Sequence, residues 1–169
     1  MKMALPHVSN GDNFMRKRFY LSLFSGYDTI VELGVATGET SKTFIECKPK
    51  KVIGVDISDG IADLKSVYEH AKKFDVEYEF IQDDDLKIDP ISCDVLFIDT
   101  SHEEEHTYQE LKKFAPHVNH YIALHDIVPK YGTINGYNRW KEEFGDEWEE
   151  HYRDTKICGL LVIKRIQGN

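Results

Sequence analysis

Short apolar runs along the chain are separated by segments whose apolar residues recur every three or four positions. Five runs read as strands: Ile30, Val31 and Leu33; Lys51–Asp56; Glu77–Ile81; Ser92–Asp99; and Asn119–Leu124. KVIGVD and SCDVLFID carry consecutive apolar residues, as expected for a sheet covered on both faces. The segments between them have helical spacing. Thr40–Cys47 is stopped by Pro49, and Gly60–Phe74 places Ile61, Leu64, Tyr68, Ala71 and Phe74 on one face. Tyr108, Leu111, Phe114 and Ala115 mark a helix ending at Pro116, and Ile134, Tyr137, Trp140 and Phe144 mark another after the loop Pro129–Gly136. Before the first strand, Met1–Ser25 carries Phe14, Phe19, Tyr20, Leu21, Leu23 and Phe24. It predicts a helix covering the sheet edge, with Arg16-Lys17-Arg18 on its polar side. Glu147–Tyr152 and Ile157–Lys164 predict an antiparallel hairpin about an Asp154-Thr155 turn. Alternating strands and helices imply an α/β fold of one domain: a doubly wound, Rossmann-like, seven-stranded sheet with helices on both faces. It is expected to be mostly parallel, with an antiparallel C-terminal hairpin and one antiparallel edge strand.

Thr29–Ser41, TIVELGVATGETS, is the first strand running through a glycine turn into a helix. Glycines there let backbone approach a ligand, and the helix start offers free N–H groups to an anion. A dinucleotide fingerprint is a poor match, because its second and third glycines would fall on Ala36 and Glu39. The frame that fits is acidic-x-Gly-x-small-x-Gly: Glu32, Gly34, Ala36 and Gly38. Asp56, at the tip of the second strand, is placed to accept hydrogen bonds from ribose hydroxyls, although a helix N-cap role is the other reading of such a carboxylate. Asp83 opens an acidic triplet after the third strand. Asp99 and His102 follow the fourth strand, and His125 and Asp126 follow the fifth.

The turn resembles motif I of the class I S-adenosylmethionine-dependent methyltransferases, in which a third glycine usually stands where this chain has Ala36. The resemblance implies that Glu32 faces the methionine amino group, that Gly34, Ala36 and Gly38 form the cofactor turn, and that Asp56 and Asp83 meet ribose and adenine. The segments CDVLFIDTSHEEEHTYQELKKFAPHV and YIALHD are similar to parts of the macrocin-type sugar O-methyltransferases and the cephalosporin-hydroxylase-like group. That likeness covers about residues 27–165. It implies O-methylation of a small hydroxylated acceptor such as a sugar, with metal ligands at Asp99 and Asp126 and a general base at His102. A divalent cation such as Mg²⁺ lowers the hydroxyl pKa, and a histidine can then take the proton. His125 stands where those enzymes have glutamate, and imidazole suits Mn²⁺ or Zn²⁺ better than Mg²⁺. Neighbours on a strand point to opposite faces, so His125 and Asp126 share one ion only if the strand has already ended. Otherwise Asp126 orients substrate and His125 packs on the sheet.

Composition narrows the choice. A net charge of −9 argues against binding nucleic-acid backbones or anionic membrane surfaces. No run reaches membrane-spanning length and no secretory segment is expected at the N-terminus. Cys47, Cys93 and Cys158 read as reduced thiols of a cytoplasmic protein. The sequence leaves a homo-oligomer open, with a neighbouring copy completing the acceptor pocket. Two rival functions remain. One is a non-catalytic S-adenosylmethionine binder. The other is a zinc hydrolase, because His102–His106 spells H-E-x-x-H and a helix there would put both histidines on one face.

Overall fold

A computed structural model describes residues 10–59 and 63–166, with backbone alone over 10–15. Expectations for Met1–Ser9, for the Phe14 side chain and for Gly60 and Ile61 lie outside the described residues. The strands are β1 (Thr29–Leu33), β2 (Lys51–Asp56), β3 (Glu77–Gln82), β4 (Cys93–Ile98), β5 (Val118–His125), β6 (Trp148–Asp154) and β7 (Leu160–Arg165). The α-helices are α1 (Asn10–Phe24), α2 (Glu39–Glu46), α3 (Leu64–Phe74), α4 (Glu104–Phe114) and α5 (Thr133–Phe144).

The strands form one sheet in the order β3-β2-β1-β4-β5-β7-β6. Pairing is parallel from β3 through β5, and β7 runs antiparallel to both β5 and β6. The fold class therefore agrees with the sequence reading in all but the edge. The antiparallel strand lies inside the sheet, and β6 forms the margin. The hairpin connection is also longer than a two-residue turn, because β6 runs on to Asp154 and β7 starts only at Leu160. Ile157 (φ 60°) and Gly159 (φ 77°) bend it.

Alternate residues of each buried strand enter opposite layers. Val31, Leu33, Val55, Leu96 and Ile98 pack with Tyr108, Leu111 and Phe114 of α4 and Tyr137 and Trp140 of α5. Ile30, Val52, Val95, Phe97 and Ala123 pack with Phe44 and Ile45 of α2, Val67 and Ala71 of α3, and Tyr20 and Phe24 of α1. The α1 helix covers the middle of the sheet rather than its edge: Tyr20 meets Phe97 of β4 and Phe24 meets Tyr121 of β5. Two core expectations fail. Tyr68 and Phe144 are about half exposed. The α3 helix begins at Leu64, capped by Asp63, which accepts from the Ser66 N–H, and it turns Val67 to the sheet together with Ala71, the latter as expected. No helix among the described residues is long and apolar enough to cross a membrane. All three cysteines are free thiols, Cys47 and Cys93 within the core.

Candidate active site

β1 ends in a turn built for close backbone approach. Gly34 has φ +87°, and its N–H donates to the Val55 carbonyl (2.8 Å). A Cβ there would stand 2.0 Å from the Asp99 carbonyl oxygen of the neighbouring strand end. Gly38 closes the turn, donating to the Val35 carbonyl (2.9 Å) with φ +82°. Between them Ala36 is also left-handed, at φ 47°. This conformation suits glycine and costs an alanine about 1 kcal/mol. Glycine's extra freedom in the unfolded chain, about 0.4–1 kcal/mol, offsets most of that relief, so Ala36→Gly is expected to raise stability by only a few tenths of a kcal/mol and the melting temperature by about 1 °C, measurable by calorimetric unfolding.

Asp56 holds this turn. Its Oδ2 accepts from the Val35 (2.9 Å) and Ala36 (3.0 Å) N–H groups, and its Oδ1 accepts from Ser58 (3.0 Å). A cavity of about 400 Å³ opens above the turn, lined by Gly34, Ala36, Asp56, Asp83, Asp99 and Thr100 among others. Glu32 does not reach it. Residue 32 shares the face of Ile30, toward α2, and is fully buried. Ser41 Oγ donates to Glu32 Oε2, while Oε1 has no partner. Burial holds the Glu32 pKa well above the usual carboxylate range, and the Ser41 hydrogen bond only partly offsets this. The acid thus lies beneath the turn, tying β1 to α2. Gly38 shapes the turn without lining the cavity.

Four titratable groups meet at the ends of β4 and β5. His102 Nε2 lies 3.0 Å from Asp99 Oδ1 and 2.8 Å from Asp126 Oδ2. His125 Nδ1 lies 3.3 Å from each of the same two carboxylates. The question of opposite faces is resolved by backbone: β5 ends at His125, and Asp126 turns back in a left-handed conformation, φ 56°. Hydrogen bonds that His102 donates to Asp126 and Asp99 hold its pKa up to about 9. Burial would lower His125, but the same two carboxylates outweigh it and hold that ring up to about 9 as well. Arg16 of α1 bears on His125 from the other side, against Nε2. A guanidinium needs a lone pair there, so with Arg16 in place the geometry accommodates the neutral ring with its proton on Nδ1. Full protonation of His125 requires Arg16 to swing away. Burial raises the pKa of Asp99 and Asp126, but hydrogen bonds from the histidines prevail and keep both below the usual range.

Asp99, His125 and Asp126 each offer one atom within 4.8 Å of the others, a spacing that fits a divalent cation once the His125 proton has moved from Nδ1 to Nε2 and Arg16 has swung aside. Asp126 Oδ1 is buried without a partner, as a missing ligand would leave it. A second cavity, of about 470 Å³, reaches this cluster from the α1–α2 side and is lined by Arg16, Lys17, Tyr20, Thr40, Phe97, His125 and neighbouring residues. Among the described residues, Asp99 alone lines both cavities.

The H-E-x-x-H reading is overturned. The α4 helix begins at Glu104, after His102, whose φ of 60° turns it toward Asp99 and Asp126. His106 instead faces Asp85 and Glu110, so the two histidines never share a helix face. Arg16 had been visible only as part of a basic patch. Asp85 is readable only as the end of the acidic triplet, and no motif marks Glu110, although the helical period places it among the core positions Thr107, Leu111 and Phe114.

No protein-family model matches the chain, and no curated protein matches it at a significant level. Solved structures do. The O-methyltransferase from Bacillus cereus, in complex with S-adenosylhomocysteine, superposes with TM-score 0.69 at 16% identity, over 96% of this chain and 84% of its own. The N-methyltransferase NodS from Bradyrhizobium japonicum gives 0.72 at 12% identity, over 94% and 99%. The O-methyltransferase TomG from Streptomyces achromogenes, in complex with S-adenosylmethionine, gives 0.62 at 15%, over 96% and 84%. The chain has the Rossmann-like fold of the class I S-adenosylmethionine-dependent methyltransferases.

Proposed function

We propose that this protein is an S-adenosylmethionine-dependent methyltransferase acting on a hydroxyl of a small molecule, such as a sugar, with help from a divalent cation. The observation that carries the reading is the position of Asp99, common to the two cavities and alone in this among the described residues. A donor in the first cavity and an acceptor in the second would meet there. Methyl transfer from a sulfonium is an in-line displacement, and such a reaction needs two sites joined at one point.

Gly34 and Ala36 would carry the methionine end of the donor. Asp56 would accept from a ribose hydroxyl at the one lone-pair position its three backbone donors leave free, and Asp83 would meet the adenine. When bound, S-adenosylmethionine supplies an activated methyl group, and a cation held by Asp99, His125 and Asp126 would lower the acceptor hydroxyl's pKa. His102 would take the hydroxyl proton. In the arrangement described, His102 holds a proton shared between Asp99 and Asp126. It becomes a base once those carboxylates engage another cation. The net charge of −9 and the free thiols support a small-molecule acceptor and a cytoplasmic setting.

The test is methyl transfer from isotope-labelled S-adenosylmethionine to a panel of hydroxylated small molecules, run with Mg²⁺, with Mn²⁺ and with EDTA. The expected result is label on an acceptor oxygen that EDTA reduces at least tenfold. Label found on nitrogen or on carbon would contradict the O-methylation reading. Label unaffected by EDTA would remove the metal from it.

A further inference from the structure

We propose that Asp85, His106 and Glu110 form a zinc site, distinct from the Asp99 cluster. Asp85 follows β3, while His106 and Glu110 stand one turn apart on α4. One ligand atom of each lies within 4.8 Å of the other two. His106 Nε2 is 3.1 Å from Asp85 Oδ1 and 3.5 Å from Glu110 Oε1. Atoms bound tetrahedrally to zinc at about 2.0 Å are separated by roughly 3.3 Å, so the side chains need little movement to close on an ion.

Glu110 supplies an independent reason. It is fully buried, and its Oε2 has no hydrogen-bond partner. A buried carboxyl oxygen without a partner is costly, and His106, which faces Oε1 at 3.5 Å, does not reach Oε2. Thr100 Oγ1 donates to Oε1 (2.7 Å), fixing the carboxylate as supporting residues around a metal do. Lys113 does not reach Oε2 either, because its Nζ donates to the Asp85 backbone carbonyl (3.0 Å). One imidazole with two carboxylates balances a divalent ion and favours Zn²⁺ over Mg²⁺. Asp85 and His106 also line the first cavity, from which water could fill a fourth position. The ion would pin the β3–β4 loop to α4 and brace the wall of that cavity.

Zinc binding needs neither cofactor nor turnover, so this proposal stands or falls apart from methyl transfer. Chelator-stripped protein is titrated with Zn²⁺ by calorimetry in four forms: wild type, Asp126→Asn, Glu110→Gln and His106→Ala. Near-UV circular dichroism verifies the fold of each, and Glu110→Gln keeps the volume of the buried side chain. The expected result is tight binding that survives in Asp126→Asn and weakens at least tenfold in both Glu110→Gln and His106→Ala. Zinc-edge absorption spectra of Asp126→Asn should show nitrogen and oxygen ligands only. Equal affinity in all four forms, or loss confined to Asp126→Asn, would overturn the assignment.

Discussion

Gly34→Ala is expected to lower the melting temperature by roughly 10 °C and to abolish binding of S-adenosylhomocysteine. The new Cβ would lie 2.0 Å from the Asp99 carbonyl oxygen and 2.7 Å from its carbon. Both are backbone atoms of a buried strand end, so no side chain can rotate away. The φ of +87° adds its own strain for any residue with a Cβ. Strain of about 1–3 kcal/mol and overpacking of similar size sum to about 4 kcal/mol. At 2–4 °C per kcal/mol for a chain of this size, that gives the shift stated above. Relief can come only by parting β1 from β4, which opens the floor of the first cavity. Thermal unfolding and a ligand titration of the variant check both effects. An unchanged melting temperature would mean that the two strand ends are not in contact.

Asp99→Asn is expected to reduce methyl transfer by about 100-fold or more while the fold persists and S-adenosylhomocysteine affinity changes only a few-fold. Asparagine keeps the shape but removes the charge shared by His102 at 3.0 Å and His125 at 3.3 Å. The cluster would then hold one carboxylate against two imidazoles, a poorer seat for a cation and a poorer partner for the proton on His102. A single-turnover assay with an identified acceptor, beside a binding titration, separates the two effects. Full turnover in the variant would move the chemistry away from the junction of the cavities.

The sequence made the skeleton of this site readable. Buried strands appear as apolar runs, and each ends where a polar or acidic residue first appears: Asp56, Asp99 and the His125-Asp126 pair. In a parallel sheet those ends gather on one side, so their convergence followed from the pattern. Other features depended on partners distant in sequence. That β7 lies between β5 and β6 is a matter of pairing across the sheet, to which the hairpin itself is indifferent. Asp126 points toward His125 because of one left-handed residue, which no periodicity announces. Glu32 carries a motif residue's identity but lies on the face of Ile30, where Ser41 claims it. Val67 takes the core position expected for Tyr68, whose ring lies half exposed against Tyr78, a rotation of the helix that its apolar spacing alone does not fix.

The measurement that bears most directly on the central claim is calorimetric titration of the purified protein with S-adenosylhomocysteine, S-adenosylmethionine and NAD. The account predicts micromolar binding of both adenosyl sulfur ligands, none of NAD, and loss of that binding in Gly34→Ala. Absence of heat with either sulfur ligand in the wild-type protein would contradict it and leave the glycine turn as a structural corner of the fold.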